Sequence, residues 1–490
     1  MDRKGGVLAH ISLLGGEYGI GTLGKEAYEF IDLLYDAGQK LWQILPIGPT
    51  GYGDSPYQVF SAFAGNPLLI DLSTFVEDNL IKKDELNTLL SDENYIDYGK
   101  LYEIKIPLLK KIFSLMKKEF PKDYYKFYEE NIFWLDDYST FMALKKINQR
   151  SWLEWNENLK KRKIDKKLKE EINEEKEFYC FIQYIFFKQW EKLKSYANSK
   201  GISIIGDIPI FVAMDSADVW SNPDLFELDE DLKPKRVAGV PPDYFSKTGQ
   251  LWGNPLYNWN NLLKTDFSWW IERFKMGFTL FDYIRVDHFR GFCEYWAIPY
   301  GEKTAINGKW EKAYGLELFS KLKKKFKALP IIAEDLGIIT TDVVKLREKF
   351  GFPGMKVLQF GFEDGPNSEH LTHNFKNSNF VCYTGTHDND TLKGWLTKLD
   401  KIKKDFLLNY LNIKDENIDK NIVFSLIREI WKSVANFAIV PLQDLFILGN
   451  EARLNTPGTI GKNWQWKTRK KDYEKFPLDF LKEISKLYNR

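Results

Sequence analysis

The sequence predicts an α/β chain folded as one (β/α)8 TIM barrel, with helical and loop insertions at the carboxyl ends of its strands. Three observations predict it. Eight short, β-rich apolar runs end in Gly, Pro, Asp or His: residues 7–11, 41–45, 203–206, 280–286, 330–333, 355–359, 380–384 and 438–442. Most are continuously apolar rather than alternating, as strands buried on both faces are. Helical patterns follow them. A doubly wound open sheet competes with the barrel, and strand counting does not decide between the two.

The elements follow in order. After the first run, KEAYEFIDLLYDAG (25–38) reads as a helix. Roughly 150 residues then separate the second run from the third. Within them, 102–120 and 170–197 have amphipathic periodicity, and FYCFIQYIFFKQW (178–190) gives the latter a broad apolar face. A βα unit needs far fewer residues, so 73–200 is expected to be a mainly helical insertion. Residues 211–261 are rich in Pro, Gly, Asp and Trp and poor in helical period. They are expected to form loops over the cleft, since loops at the strand carboxyl ends of a barrel build its active site. The whole of 1–490 is expected to be a single catalytic domain.

Composition narrows the function. The 490 residues are 44% apolar, enough for a large core, and 70 Lys+Arg stand against 69 Asp+Glu. That balance argues against a nucleic-acid partner, which needs a basic excess or stripe. The run KKRKIDKKLKEE (160–171) mixes both signs and leads into a helix, so it reads as a solvated face. Three distant cysteines, Cys180, Cys293 and Cys382, make neither a disulfide framework nor a zinc spacing. The amino-terminal residues have no secretory pattern, and no run of about 18 apolar residues suggests a membrane span. A reducing cytoplasm is the expectation. Aromatics make up 16% of the chain. A large aromatic core explains that, as does a cleft stacking the flat faces of sugars.

GIGTLG (19–24) matches a dinucleotide fingerprint after a strand, but the next strand ends LPIG with no acid to hold a ribose. GPTGYGDS (48–55) has the glycines of a phosphate loop and no Lys before its Ser. Neither supports a cofactor. The strand ends carry more. The fourth run leads into IRVDHF, the fifth into AEDLG and the seventh into TGTHDND. Each places a carboxylate at or just past a strand end: Asp287, Glu334 and Asp388. One such acid is ordinarily a loop acceptor; three at one end of a barrel would repel and lose water, which a fold tolerates mainly at a working site. Arg285 lies two residues before Asp287 and shares its face, where it serves either as a structural ion pair or to keep Asp287 ionised. His288 and His387 sit beside the acids, but their spacing and aromatic surroundings do not suit a metal site. One ionised and one protonated carboxyl flanking a bond are what glycosidic chemistry requires.

Several blocks, taken together, resemble one family. They include HISLLGGEYGIGTLG (10–24), WQILPIGPTGYGDSPYQVFSAFAGNPLLIDL (42–72), GDIPIFVAMDSADVW (206–220) and GVPPDYFSKTGQLWGNPLYNW (239–259). RVDHFRGF (285–292), IIAEDLG (331–337), GFPGMKVLQF (351–360), YTGTHDNDT (383–391) and EARLNTPGT (451–459) continue the series. Ordered along nearly the whole chain, they resemble the 4-α-glucanotransferases, or amylomaltases, of glycoside hydrolase family 77 in the α-amylase clan. The resemblance implies a barrel without a separate C-terminal β-domain. It implies Asp287 as nucleophile, Glu334 as general acid/base and Asp388 as transition-state stabiliser. Arg285 and His387 match partners of the reacting sugar, and Tyr57 matches an aromatic platform under it, with Ser55 alongside. Asp243 and Tyr244 match a loop over the cleft, and Gln250, Trp252 and Asn455 match further sugar contacts. Asp207 is expected to support the site.

The resemblance also implies maltooligosaccharides, amylose and starch or glycogen fragments as substrates, glucose as an acceptor, and no metal or cofactor. Two blocks depart from the family pattern. Leu-Leu-Gly stands where Leu-Pro-Gly is common, and GKWEKAYG (308–315) replaces a Lys-Gly-Pro-Gly turn. Both touch loop shape and leave the three acids in place. An α-amylase-like hydrolase on the same scaffold is the chief alternative; a non-catalytic glycogen binder and an NAD-linked oxidoreductase are the others.

Overall fold

The computed structural model describes residues 2–51, 53–242, 246–414, 418–459 and 461–490. Eight strands are parallel: β1 (Lys4–Leu8), β2 (Leu41–Gln43), β3 (Ser203–Pro209), β4 (Tyr283–Asp287), β5 (Ile331–Ala333), β6 (Gly354–Val357), β7 (Phe380–Tyr383) and β8 (Phe437–Pro441). Their order is β6-β7-β8-β1-β2-β3-β4-β5. The two ends of that order meet. The Ala333 amide donates to the Pro353 carbonyl at 2.9 Å, and the Met355 amide donates to the Asp335 carboxylate at 2.7 Å. The sheet therefore closes, and the open-sheet alternative falls away.

Every apolar run of the sequence overlaps a barrel strand, and the interior explains both their continuity and their endings. Outward residues such as Val7, Trp42, Ile204 and Ile284 are fully buried against the surrounding helices. Inward residues Leu8, Leu41, Ile205, Ile332, Met355, Val357, Val381, Phe437 and Ile439 fill the barrel. Successive inward positions are two residues apart. Two steps past Ile205 stands Asp207, past Tyr283 stand Arg285 and Asp287, and past Ile332 stands Glu334. The inward face thus turns from apolar to charged at the carboxyl end.

β1 starts three residues before the apolar run, and residues Ile11–Leu13 form a 3-10 turn instead. Glycines hide the start. A Cβ on Gly6 would lie 2.4 Å from Leu41 Cβ and 2.5 Å from the Leu41 carbonyl oxygen, so the strands approach where only glycine fits. Since that obstacle is backbone, Gly6→Ala is expected to destabilise the fold by about 1–3 kcal/mol. Thermal denaturation checks this; an unchanged midpoint would contradict it.

Between β2 and β3 the described residues form six α-helices, the longest being Tyr98–Met116, Lys122–Asn148 and Lys166–Ser199. Two glutamines tie the last of these to the loop after β2. The Gln183 amide accepts from the Gly65 amide at 2.7 Å and donates to its carbonyl at 2.9 Å; Gln189 does the same with Asp71 at 2.8 and 2.9 Å. The Asp218 carboxylate accepts from the Ala62 amide at 2.8 Å. The loop carrying Tyr57 is thereby held from both sides.

The segment read as loops is more ordered than its composition suggests. Arg236–Val240 and Gln250–Pro255 join Glu294–Pro299 and Lys309–Lys312 in a four-stranded antiparallel sheet. Glycine and proline break these strands into pieces too short for a periodicity argument. GKWEKAYG, read as a variant turn, supplies the edge strand. Among the described residues none after β8 forms a further strand. The terminal Arg490 donates to the carbonyls of Trp431, Ser433 and Ala435 at 2.6, 2.9 and 3.0 Å, which caps the end of helix Ile418–Lys432 and its following turn.

Candidate active site

Arg285 organises the floor of the cleft. In register, Asp207 of β3 faces Arg285 of β4. The Arg285 guanidinium donates Nη1 to Asp207 Oδ2 at 2.7 Å and sets Nη2 2.8 Å from Asp287 Oδ1. Burial disfavours its charge, but Asp207 and Asp287 outweigh burial and hold its pKa above the ordinary value. Asp207 is closed to solvent at 0% side-chain exposure, whereas Asp287 is 29% exposed and opens to the cleft. Burial raises the Asp207 pKa against the pull of Arg285. Tyr57 donates its hydroxyl to the same Asp207 Oδ2 at 2.8 Å. Asp207 is therefore a buried bracket between Tyr57 and Arg285.

Glu334 follows β5, beside Asp287. The Glu334 amide donates to the Val286 carbonyl at 3.1 Å, so the two acids project from neighbouring strands at one level. The Glu334 carboxylate accepts from the His288 amide at 2.6 Å and the Leu336 amide at 2.9 Å. His288 reaches it by adopting a left-handed conformation, φ 49°, which costs a non-glycine residue about 1 kcal/mol. Burial, with the Asp287 charge beside it, pushes the Glu334 pKa up to about 8; Arg285 and the two amides oppose the shift. Neighbouring carboxyls with environments this different are suited to different roles.

The opposite wall is the turn after β7. Asp388, 43% exposed, accepts from Asn455 Nδ2 at 2.6 Å and lies 3.4 Å from His387 Nε2. Burial lowers the His387 pKa, so its ring is a neutral hydrogen-bonding group. The ring stacks on Tyr57 with centroids 5.1 Å apart and planes at 18°, and Trp464 closes the group 5.7 Å from Tyr57. Ser55 accepts from the Tyr57 amide at 3.2 Å and shapes that loop. Trp252 donates its indole N–H to Gln250 at 3.1 Å and sets its ring edge-on to His288 at 4.8 Å. The structure thus gathers Asp287, Glu334, Arg285 and Asp207 at one floor, with Asp388, His387, Asn455, Tyr57 and Ser55 along one wall and Trp252, bonded to Gln250, beside His288. Asp243 and Tyr244 lie outside the described residues.

Sequence reasoning passed over several residues that shape this site. Arg453 binds the Asp390 carboxylate, donates to the Asp388 carbonyl at 2.5 Å and donates to the Asn455 carbonyl at 2.8 Å, which joins the two turns. Asp444 accepts from Thr384 Oγ1 at 3.0 Å and the Leu392 amide at 2.7 Å, so one buried carboxyl pins both ends of the turn holding His387 and Asp388. Their partners are distant in sequence, and only membership of the EARLNTPGT block pointed to Arg453. Among the described residues, no three His, Cys, Asp or Glu side chains gather as a metal site.

A closed barrel with two differentiated carboxyls at its carboxyl end, a third facing them and an aromatic wall defines a glycoside-bond enzyme. Comparison places it more closely. The family model described as 4-alpha-glucanotransferase matches residues 9–472. The 4-alpha-glucanotransferase of Clostridium butyricum is 48% identical over 98% of this chain and 99% of its own, and that of Aquifex aeolicus is 48% identical over 100% and 99%. The solved amylomaltase from Streptococcus agalactiae, in complex with acarbose, superposes with a TM-score of 0.96 at 42% identity, covering 100% of both chains. The chain belongs to the 4-alpha-glucanotransferase family. Its activity is the transfer of a 1,4-α-glucan segment from one glucan to another, and the hydrolase alternative is not favoured.

Proposed function

We propose that transfer proceeds with retention through a glycosyl ester on Asp287, with Glu334 as acid and then base. The observation that carries this reading is the split between the two neighbouring carboxyls: Arg285 pairs with Asp287, while burial raises Glu334. Adjacent strands lie about 4.8 Å apart, which suits the roughly 5–5.5 Å carboxyl separation of retaining enzymes. In the first step an Asp287 oxygen bonds to C1 of the donor sugar as the C1–O bond to the leaving glucan breaks, and the Glu334 proton passes to that oxygen. In the second, the 4-hydroxyl of the acceptor attacks C1, gives its proton to Glu334, and the Asp287 ester bond breaks. Asp388, oriented by Asn455, hydrogen-bonds the hydroxyls of the reacting sugar and strengthens that contact as positive charge grows at C1. Arg285 and His387 hold the same sugar, and Tyr57 lies beneath it. Gln250 and Trp252 contact further sugars, and Asp243 and Tyr244 of the PPDYF segment are part of the same reading.

The donors are maltooligosaccharides, amylose and starch or glycogen fragments, and the acceptors are glucose or a second glucan. These side chains supply every step, so no cofactor or metal is needed, and no nucleic acid or membrane takes part. Three free thiols fit a reducing compartment, which makes the cytoplasm the setting we propose. Incubating the pure protein with maltotriose tests the reading. Free glucose and a ladder of longer maltooligosaccharides are expected, with the number of reducing ends constant. A rise in reducing ends without longer products would mean that water is the acceptor and overturn it.

A further inference from the structure

Among the 16 tryptophans of the chain, 13 are buried. The other three, Trp252, Trp296 and Trp310, all lie on the small antiparallel sheet, and Trp310 alone is exposed, at 36%. An exposed tryptophan is ordinarily free to turn, but this one is fixed. Trp310 stands opposite Trp296 in register, their rings edge-on at 5.1 Å, and the Trp296 indole N–H is itself bonded to the Ala305 carbonyl at 2.8 Å. The Arg290 guanidinium lies 3.8 Å from the Trp310 ring centre. Arg290 belongs to the turn after Asp287 and His288, and it donates to the carbonyl of Ile338, in the loop after Glu334. The ring is therefore coupled to both turns that hold the reacting carboxyls.

Register extends the surface. Leu251, Gly239, Trp296 and Trp310 are successive partners across the four strands, so they share one face. At about 4.8 Å per strand this row runs roughly 14 Å, with exposed apolar groups at both ends, Leu251 (37%) and Trp310, and no side chain at Gly239. Trp252, the strand neighbour of Leu251, projects from the opposite face and touches His288, so the row lies on the outer face of the sheet and is tied to the turns of the reacting carboxyls through Arg290. In the barrel order β4 and β5 lie across from β8 and β1, so the two turns tied to Trp310 stand on the side of the barrel away from His387 and Asn455.

We propose that Trp310 is a stacking platform for an α-glucan chain on the acceptor side of the cleft, holding a sugar ring several units beyond the reacting bond. The proposal rests on the reading of Glu334 as the group that meets the leaving and entering sugar oxygen. A sugar presents a flat C–H face that suits an indole ring, and a ring already locked by Trp296 and Arg290 loses little freedom on binding. Binding so far from C1 raises the affinity for long acceptors and does nothing for glucose, which is too short to reach it.

Trp310→Ala and Trp310→Phe test this, with one donor and either glucose or maltoheptaose as acceptor. In Trp310→Ala the KM for maltoheptaose is expected to rise about tenfold more than the KM for glucose, and Trp310→Phe is expected to restore most of the difference. An equal change with both acceptors, or none, would overturn the proposal. Electrophoresis through gels containing amylose gives a readout independent of chemistry: Trp310→Ala should be retarded less than the parent protein. A ring kept exposed for a protein partner would leave retardation unchanged and overturn the platform. A fully active Glu334→Gln variant would overturn the acid–base reading instead, so the two failures are distinguishable.

Discussion

Asp287→Asn is expected to lower turnover of maltotriose by about 10⁴-fold or more while leaving the melting temperature close to that of the parent protein. The size follows from covalent catalysis. An amide oxygen is a poor nucleophile toward C1, and without the ester the single difficult displacement is no longer split into two easier ones. The stability follows from the floor of the cleft. Asparagine is nearly isosteric and still offers an oxygen to Arg285 Nη2, and the buried ion pair of Arg285 with Asp207 is untouched. Turnover of the pure variant and its thermal midpoint are the two measurements. Near-parental turnover would exclude Asp287 as nucleophile.

Glu334→Gln is expected to lower turnover by about 10²–10⁴-fold with maltotriose, because glutamine has no acidic proton for the leaving oxygen. The loss should shrink with an α-maltosyl fluoride donor, whose leaving fluoride needs no protonation in the first step. The pH dependence gives an independent sign. Glu334 must be protonated when the donor binds, and burial beside Asp287 raises its pKa to about 8. Activity on maltotriose should therefore persist through neutral pH and fall as pH rises through about 8, with kcat/KM reporting the free enzyme. Glu334→Gln should lack that basic limb. Retention of the limb in the variant would assign it to another group.

The three acids were legible because each stands at or just past the end of a β-rich apolar run, and a strand that is buried on both faces presents charge mainly at its end. The barrel was legible for the same reason, although only the β5–β6 contacts decide closure. What sequence patterns could not show is anything that depends on distant partners. Asp207 reads as one more strand-end acid until Tyr57, 150 positions earlier, and Arg285, 78 positions later, are seen to share its Oδ2. Arg453 and Asp444 sit in unremarkable local contexts and act on the His387–Asp388 turn some sixty residues away. The start of β1 was hidden by Gly5 and Gly6, which are invisible to an apolar count yet set the approach to β2. The antiparallel sheet was hidden by its own breaks, and with it the placement of Trp310. A stretch that looked like a variant turn is the edge strand that holds that ring.

Trapping the ester on the protein tests the central claim most directly. The pure protein would be incubated with a 5-fluoro-α-glucosyl fluoride, which forms the ester faster than the ester turns over, then digested with protease and read by mass spectrometry. A glycosyl adduct on the peptide containing Asp287, localised to that residue and absent from Asp287→Asn, is the expected result. An adduct on Glu334 or Asp388, or products of inverted anomeric configuration with no adduct at all, would contradict it.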